Sequence, residues 1–381
     1  MDIEENLCLC ALNRVFGYQP VLGHTLVRFA GSAAAVFRMD PDTLREALGV
    51  HRDLAAGLTL AALEKTAAEL EWTTSQGFRF LPFGDPGYPS LLAECPDPPL
   101  GLYLRTTSPP SELFGRHPCI AFVGTRDLSP YGREWCRKLV GALGMAPTRS
   151  CIVSGLAFGA DAVAHRTALE CGLTTIGVMA TGIERVYPWQ HTDLADQIVR
   201  TPGCCVLTDY PPGTVPAALN FIRRNRIIAG LCRATVVIES KTKGGSLITA
   251  RYAWEYDRDI FVLPGRAGDI RSAGCNALIR KHRADIITDP EDLAERLSLG
   301  APLPKRAESF ADELTRRYGA DSPLTRIGLL VRDRPDILQE DLCRETGWSW
   351  EEVSRCTGTL EMDGLLEKDV LQQCRIPANI L

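Results

Sequence analysis

The chain has 381 residues, 45% hydrophobic and 23% charged, with a formal net charge of −5. That is an ordinary globular composition, long enough for two or three domains. No stretch approaches the roughly 18 uninterrupted apolar residues that a membrane span needs. The fourteen cysteines include no C-x-x-C pair, so neither a zinc site nor a disulfide framework is expected. They read as reduced, small buried hydrophobes in a cytoplasmic protein. The opening "MDIEENLCLC" carries acids where a signal peptide would be basic, which predicts an intracellular start. Charge is unevenly spread: net −6 over 1–115, +5 over 116–297 and −4 over 298–381. A polyanion is therefore expected to meet the middle of the chain.

Residues 1–75 lack β-rich runs and read as short helices, with a capped start in "DPDTLREAL" and helical spacing in "GLTLAALEKTAAEL". Residues 76–115 form a proline-punctuated extended segment expected to pack on the next domain. From Arg116 the pattern becomes strand, turn, helix, repeated. The strands are "CIAFV", "CIVS", "TTIGV", "CCVLT", "ATVVIES" and "DIFVL". Ser129-Pro130 supplies a capping hydroxyl and a proline at the first helical position. Near-continuous apolar runs alternating with helices predict a Rossmann-like α/β domain over 116–297, doubly wound on a mainly parallel sheet. Residues 298–320 read as a linker, and 321–381 as three helices with "EKDVLQQCRI" as a candidate β-wing. That arrangement suggests a winged helix.

In open α/β sheets ligands bind beyond the carboxyl ends of the strands. Three Gly-rich turns stand there: Gly124, Thr125 and Arg126; Ser154, Gly155 and Gly159; and Lys243, Gly244, Gly245 and Ser246. Free N–H groups at such turns attract anions. A single turn of this kind is weak evidence, because tight βα turns use glycine for steric reasons alone. Three on one edge of the basic domain are stronger. Neither G-x-G-x-x-G nor a P-loop is present, so no nucleotide cofactor is expected.

Between Asn220 and Arg233 lie four arginines and no acid. Ile227, Ile228 and Leu231 share a face if a helix starts near Asn225, with that residue as its cap. Arg223 and Arg224 are then expected in the preceding loop. With Phe221, Asn225 and Arg226 they offer guanidiniums and a ring, which suits single-stranded nucleic acid. The plainer alternative is a solvated basic helix end. Catalytic and metal constellations are absent from the pattern: the six histidines are dispersed. Asp161 and His165, four apart, read as structural hydrogen-bond formers. Ser154 and Ser246 do not sit in G-x-S-x-G.

At these residues the chain resembles the DNA-processing protein A family (DprA, also called Smf). The matching segments are "FGDPGYPSLLAECPDPPLGLYLR", "VGTR", "SGLAFGADAVAH", "ATGIERVYP", "NFIRRNRIIAGL" and "KGGSLITARYA", over about 80–290. The resemblance implies a Rossmann-fold protein that binds single-stranded DNA and helps load a strand-exchange recombinase during DNA uptake. It would act as a homodimer without catalysis. It assigns DNA contacts to Arg126, Phe221, Arg223 and Arg224, and implies a sterile-alpha-motif-like N-terminal domain and a C-terminal winged helix. This chain departs from the family pattern at Ile222, where proline is usual, and at Ala218 and Leu219, where some members carry lysine. Either a phosphate contact is missing there, or Lys241 or Lys243 supplies it. Glu184 also stands where aspartate is common.

The segment "SWEEVSRCTGTLEMDG" holds Glu351, Glu352, Glu361 and Asp363 against Arg355 alone. Phosphate affinity needs Lys and Arg, so this domain is expected to make protein contacts or steady a dimer. A phosphoribohydrolase-like enzyme is the alternative reading. It is disfavoured because "KGGSLITA" lacks that group's glutamate. A transcription factor working through the winged helix is disfavoured by the domain's acidity.

Overall fold

The computed structural model describes residues 3–299, 310–334, 336–369 and 372–377. The chain divides into two compact units, Met1–Leu303 and Pro304–Leu381. The first is built on a nine-stranded sheet: β1 (Arg79–Pro82), β2 (Gly101–Arg105), β3 (Cys119–Val123), β4 (Cys151–Ser154), β5 (Thr174–Val178), β6 (Cys205–Thr208), β7 (Ala234–Val237), β8 (Asp259–Val262) and β9 (Asp285–Ile286). Their spatial order is β1-β2-β6-β5-β4-β3-β7-β8-β9. The seven strands from β6 to β9 run parallel, and β1 and β2 add an antiparallel edge. The expected mainly parallel α/β fold is thus present, and the 76–115 segment contributes two of its strands.

Every residue of β3, β4, β6 and β7 is buried, because helices cover both faces of the sheet. Ala121, Val123, Val153 and Ile176 face one apolar layer, while Ile120, Phe122, Ile152 and Val236 face the other. Helices are interrupted where the sequence supplies stops and caps. Ser129 caps Pro130–Met145 by accepting from Gly132 N at 3.0 Å, and Asp40 caps Pro41–Leu48.

The N-terminal helices, from Ile3–Phe16 to Leu60–Ser75, have a core of their own that also takes in Leu100 beside β2. Tyr103 of β2 donates to Glu69 Oε1 at 2.6 Å and meets Cys10 Sγ at 3.2 Å. These contacts tie the helical segment to the antiparallel edge. All fourteen cysteines are free thiols. Burial pushes most of them upward, Cys204 to about 11 and Cys136 to about 12.

The second unit contains the helices Phe310–Tyr318, Pro323–Asp333, Gln339–Thr346 and Trp350–Met362. A small antiparallel sheet accompanies them, in the order β10 (Ile337–Leu338), β12 (Gln373–Arg375), β11 (Glu367–Lys368). Of the expected linker 298–320, residues 300–309 lie outside the described residues, while Phe310–Tyr318 is helical. Its Phe310 and Leu314, one turn apart, enter this unit's core. Among the described residues no helix is long and apolar enough to cross a membrane.

Candidate nucleic-acid interface

From β3 the chain winds outward through β4, β5 and β6, then returns to place β7 on the other side of β3. That reversal makes β3/β7 the topological switch point, where open α/β sheets leave a crevice at their carboxyl ends. A cleft of about 870 Å3 lies there. Its walls are the turn after β3 (Gly124, Thr125, Arg126) and the turn after β7 (Ser240 to Ser246). One face of the helix Ala218–Gly230, bearing Phe221, Ile222 and Asn225, completes it together with Tyr187.

The helix Ala218–Gly230 corrects the expectation that Arg223 and Arg224 precede a helix capped by Asn225. All three lie within it. In a helix begun earlier, Arg224 falls on the apolar side, where a guanidinium needs acceptors. Arg224 lies buried beside Ile227 and Ile228, because the strand ends supply acceptors. Its Nη1 donates to Gly155 O at 2.9 Å and to Val178 O. Burial lowers Arg224 to about 10 against the opposing pull of Asp161, so it stays protonated at neutral pH.

The middle Gly-rich turn is shaped around that guanidinium. A Cβ on Gly155 would stand 2.4 Å from Arg224 Nη2. Gly159 has φ +76, and a Cβ there would lie 2.2 Å from Thr125 O, so this turn packs directly beneath the first. Asp161 closes the loop, its Oδ2 accepting from Gly155 N at 3.0 Å and Ala157 N at 3.2 Å. Burial pushes its carboxyl upward and Arg224 draws it back. Ser154 is fully buried and donates to Phe122 O at 2.6 Å, joining β4 to β3. Asp161 and His165 each bond elsewhere; His165 Nδ1 meets Thr175 Oγ1 at 2.7 Å.

Arg226 is turned away from the cleft. It pairs with buried Asp209 at 2.7 Å, bonds the carbonyl of Asp97 between β1 and β2, and reaches Gly17 O of the N-terminal segment at 3.5 Å. Arg223 places its guanidinium 4.7 Å from the Tyr18 ring, also outside the cleft lining.

The groups exposed to the cleft are different ones. Arg126 lies 5.4 Å from the centroid of Phe221, and Phe221 meets Tyr187 at 5.3 Å with the rings tilted by 56°. Lys241 and Lys243 are exposed on the opposite wall. Gly245 precedes the helix Ser246–Glu255, whose start has no side-chain cap, and a Cβ on Gly245 would meet nothing within 4 Å. Ser246 Oγ donates to Ser240 Oγ at 2.8 Å, and a Cβ on Gly244 would fall 2.2 Å from that same oxygen. Of the sequence-derived set, the structure gathers Gly124, Thr125, Arg126, Phe221, Arg224, Asn225, Lys243, Gly244, Gly245 and Ser246 around one cleft. Ser154, Gly155, Gly159, Arg223 and Arg226 lie behind or beside it. Tyr187 was missed, although it stands in the quoted "ERVYP"; the unassigned aromatic was the signal. Lys241 lines the cleft beside Lys243, so both candidate substitutes for the missing lysine reach it.

A doubly wound sheet with a cationic, aromatic-faced cleft at its switch point defines an α/β protein of the class whose ligands meet the carboxyl ends of the strands. The family of DNA recombination-mediator protein A matches residues 79–298, more than half of the chain, and the chain belongs to that family. Protein Smf of Synechocystis sp. is 42% identical over 223 residues, covering 58% of this chain and 54% of that protein. The chain thus spans just over half the length of that relative. Protein Smf of Escherichia coli is 33% identical over 296 residues, covering 75% and 74%. Among solved structures, DNA processing protein A of Streptococcus pneumoniae superposes with TM-score 0.64 at 30% identity, covering 76% of this chain and 97% of that one. That of Helicobacter pylori, described for its single-stranded DNA binding mode, gives TM-score 0.51 at 27% identity over 58% and 95%. Membership places the chain in DNA processing in recombination.

Proposed function

We propose that the cleft binds single-stranded DNA and that the protein acts as a recombination mediator without catalysis. The observation carrying this reading is the cleft's free charge beside its rings. Arg126, Lys241 and Lys243 have no carboxylate partner among the described residues, and Phe221 and Tyr187 stand with them. Asp161, the acid in the lining, is occupied by backbone amides. Phosphates lie against these cations and the open backbone at Gly244 and Gly245, while a base stacks on Phe221. Contacts are to the backbone and to a π-face, so sequence preference is small and salt dependence steep. Duplex DNA binds less well, since a paired base cannot splay onto a ring.

Family membership supports the further steps. The protein hands the strand to a strand-exchange recombinase during DNA uptake and recombination in the cytoplasm. It works as a homodimer, whose two clefts on one strand add avidity. The acidic C-terminal unit, read as a winged helix, serves protein contacts or steadies the dimer.

Fluorescence anisotropy of a labelled single-stranded oligonucleotide, over a salt series and against duplex, tests the reading. Arg126→Ala with Lys241→Ala and Lys243→Ala is expected to weaken binding at least tenfold and to lower the salt slope by about 2, at roughly 0.7 per lost phosphate contact. Equal affinity for variant and wild type, or no wild-type binding at low salt, would overturn it.

A further inference from the structure

A second cationic groove lies beside the cleft, between the helices Pro130–Met145 and Ala160–Glu170. It has a volume of about 430 Å3, and its lining includes Arg126, Arg133, Arg137, Phe158, Arg166 and His191. Arg126 lines both hollows, so the two are neighbours across one residue. Arg133 and Arg137 lie one turn apart on the first helix, and Arg166 projects from the second. All three are exposed and have no ion-pair partner among the described residues. Glu170 is the acid on the lining.

This arrangement is unfavourable in isolation, because like charges at i, i+4 repel. The same helix does pair a basic residue elsewhere: Lys138 Nζ meets Glu134 Oε1 at 2.6 Å. Arg166 has Glu170 four residues on, but no ion pair joins them among the described residues, and Arg133 and Arg137 have no carboxylate partner there either. Four guanidiniums around a hollow with one carboxylate make a site for an anion, and arginine's planar fork matches phosphate.

A ring completes the parallel with the cleft. Phe158 is 42% exposed and stands edge-on to His191, with centroids 4.8 Å apart. His191 is buried and donates from Nδ1 to Leu156 O at 2.7 Å, which fixes the surface against which Phe158 rests. An exposed aromatic beside spaced guanidiniums suits consecutive nucleotides better than a single small anion.

We propose that this groove is a second DNA subsite. A strand leaving the cleft past Arg126 continues along Arg133, Arg137 and Arg166, with a base on Phe158. The inference rests on the proposed reading of the cleft and extends its footprint.

The test uses the full chain and two labelled oligo-dT probes, of about 6 and about 20 nucleotides, spanning the range of single-strand site sizes. Arg133→Ala/Arg137→Ala/Arg166→Ala is expected to bind the short probe like wild type. It should bind the long probe at least tenfold more weakly, with a salt slope lower by about 2. The triple lysine variant should keep the slope, which separates charge from damage to the helices. If the alanine variant does not fold, Arg166→Ala alone carries the test through a slope decrease of about 0.7. Unchanged long-probe binding, or an equal loss for both lengths, would overturn the groove while leaving the cleft standing. Failure of wild type to bind either probe would overturn both.

Discussion

Arg226 Nη2 stands 2.7 Å from Asp209 Oδ2, and both side chains are buried. Arg126, by contrast, is exposed and touches the face of a ring. Removing one partner of a buried pair leaves the other charge unpaired, at a cost of about 3–5 kcal/mol. Arg226→Ala is therefore expected to lower the urea midpoint markedly. Arg126→Ala should leave that midpoint in place and weaken DNA binding, and paired denaturation and anisotropy measurements would separate the two. His165 makes a second prediction at this scale. Thr175 Oγ1 donates to Ile152 O, so its oxygen accepts from His165 Nδ1–H. Burial holds the ring neutral and lowers it from 6.5 to about 3. The unfolded chain then binds a proton that the folded chain does not. Stability present above pH 6.5 is lost as pH falls toward 3, at up to about 1.4 kcal/mol per pH unit. Half-buried His24 shifts the same way, and buried Asp161, shifted upward, acts in the opposite sense near its own range. The comparison is therefore wild type against His165→Asn between pH 6.5 and 5, where the variant should lose stability less steeply.

At the scale of elements, the three Gly-rich turns hold three different tasks. The turn after β3 carries the exposed Arg126, the turn after β4 houses Arg224, and the turn after β7 opens backbone to the cleft. Gly155→Ala would drive a methyl into the Arg224 guanidinium, 2.4 Å away. A loss of about 1–3 kcal/mol follows from such overpacking, together with a displaced helix Ala218–Gly230 and weaker DNA binding. Gly245→Ala meets nothing within 4 Å at φ −61, and its stability should stay within about 0.5 kcal/mol of wild type. Thermal melts of the two variants test the contrast directly. The sequence signalled both glycines with equal force, since composition shows that a turn needs glycine but not which atom would occupy the space of a Cβ.

For the whole molecule, the N-terminal helices have their own core but also send Cys10 into a cluster with Tyr103 and Val206 of the sheet, while the C-terminal unit's core is separate. Every residue lining the cleft belongs to the first unit. A fragment of residues 1–303 is therefore expected to bind single-stranded DNA within about threefold of the full chain, by anisotropy at matched salt. A tenfold loss would show that the acidic unit takes part in binding after all. Removing residues 1–75 should do far more harm, because it strips Leu100 and Tyr103 of their cover and Arg226 of its contact with Gly17.

The sequence by itself determined the alternation of strands and helices from Cys119 to Val262 and the parallel sheet, and it pointed to the carboxyl edge as the expected ligand side. Those follow from local patterns: buried strands must be apolar throughout, and tight turns must carry glycine. It also marked one arginine-rich segment and its neighbouring turns as the place to look. Only the tertiary structure decided which of those cations are exposed at the cleft and which are buried with partners. Arg224 and Arg226 could enter the interior because Gly155 O, Val178 O and Asp209, distant in sequence, converge on them. Lys241, Lys243 and Tyr187 met Arg126 and Phe221 only when the winding reversed between β3 and β7. A side chain's type sets the interactions it can make; the partners that the fold brings within 3 Å set the ones it does make.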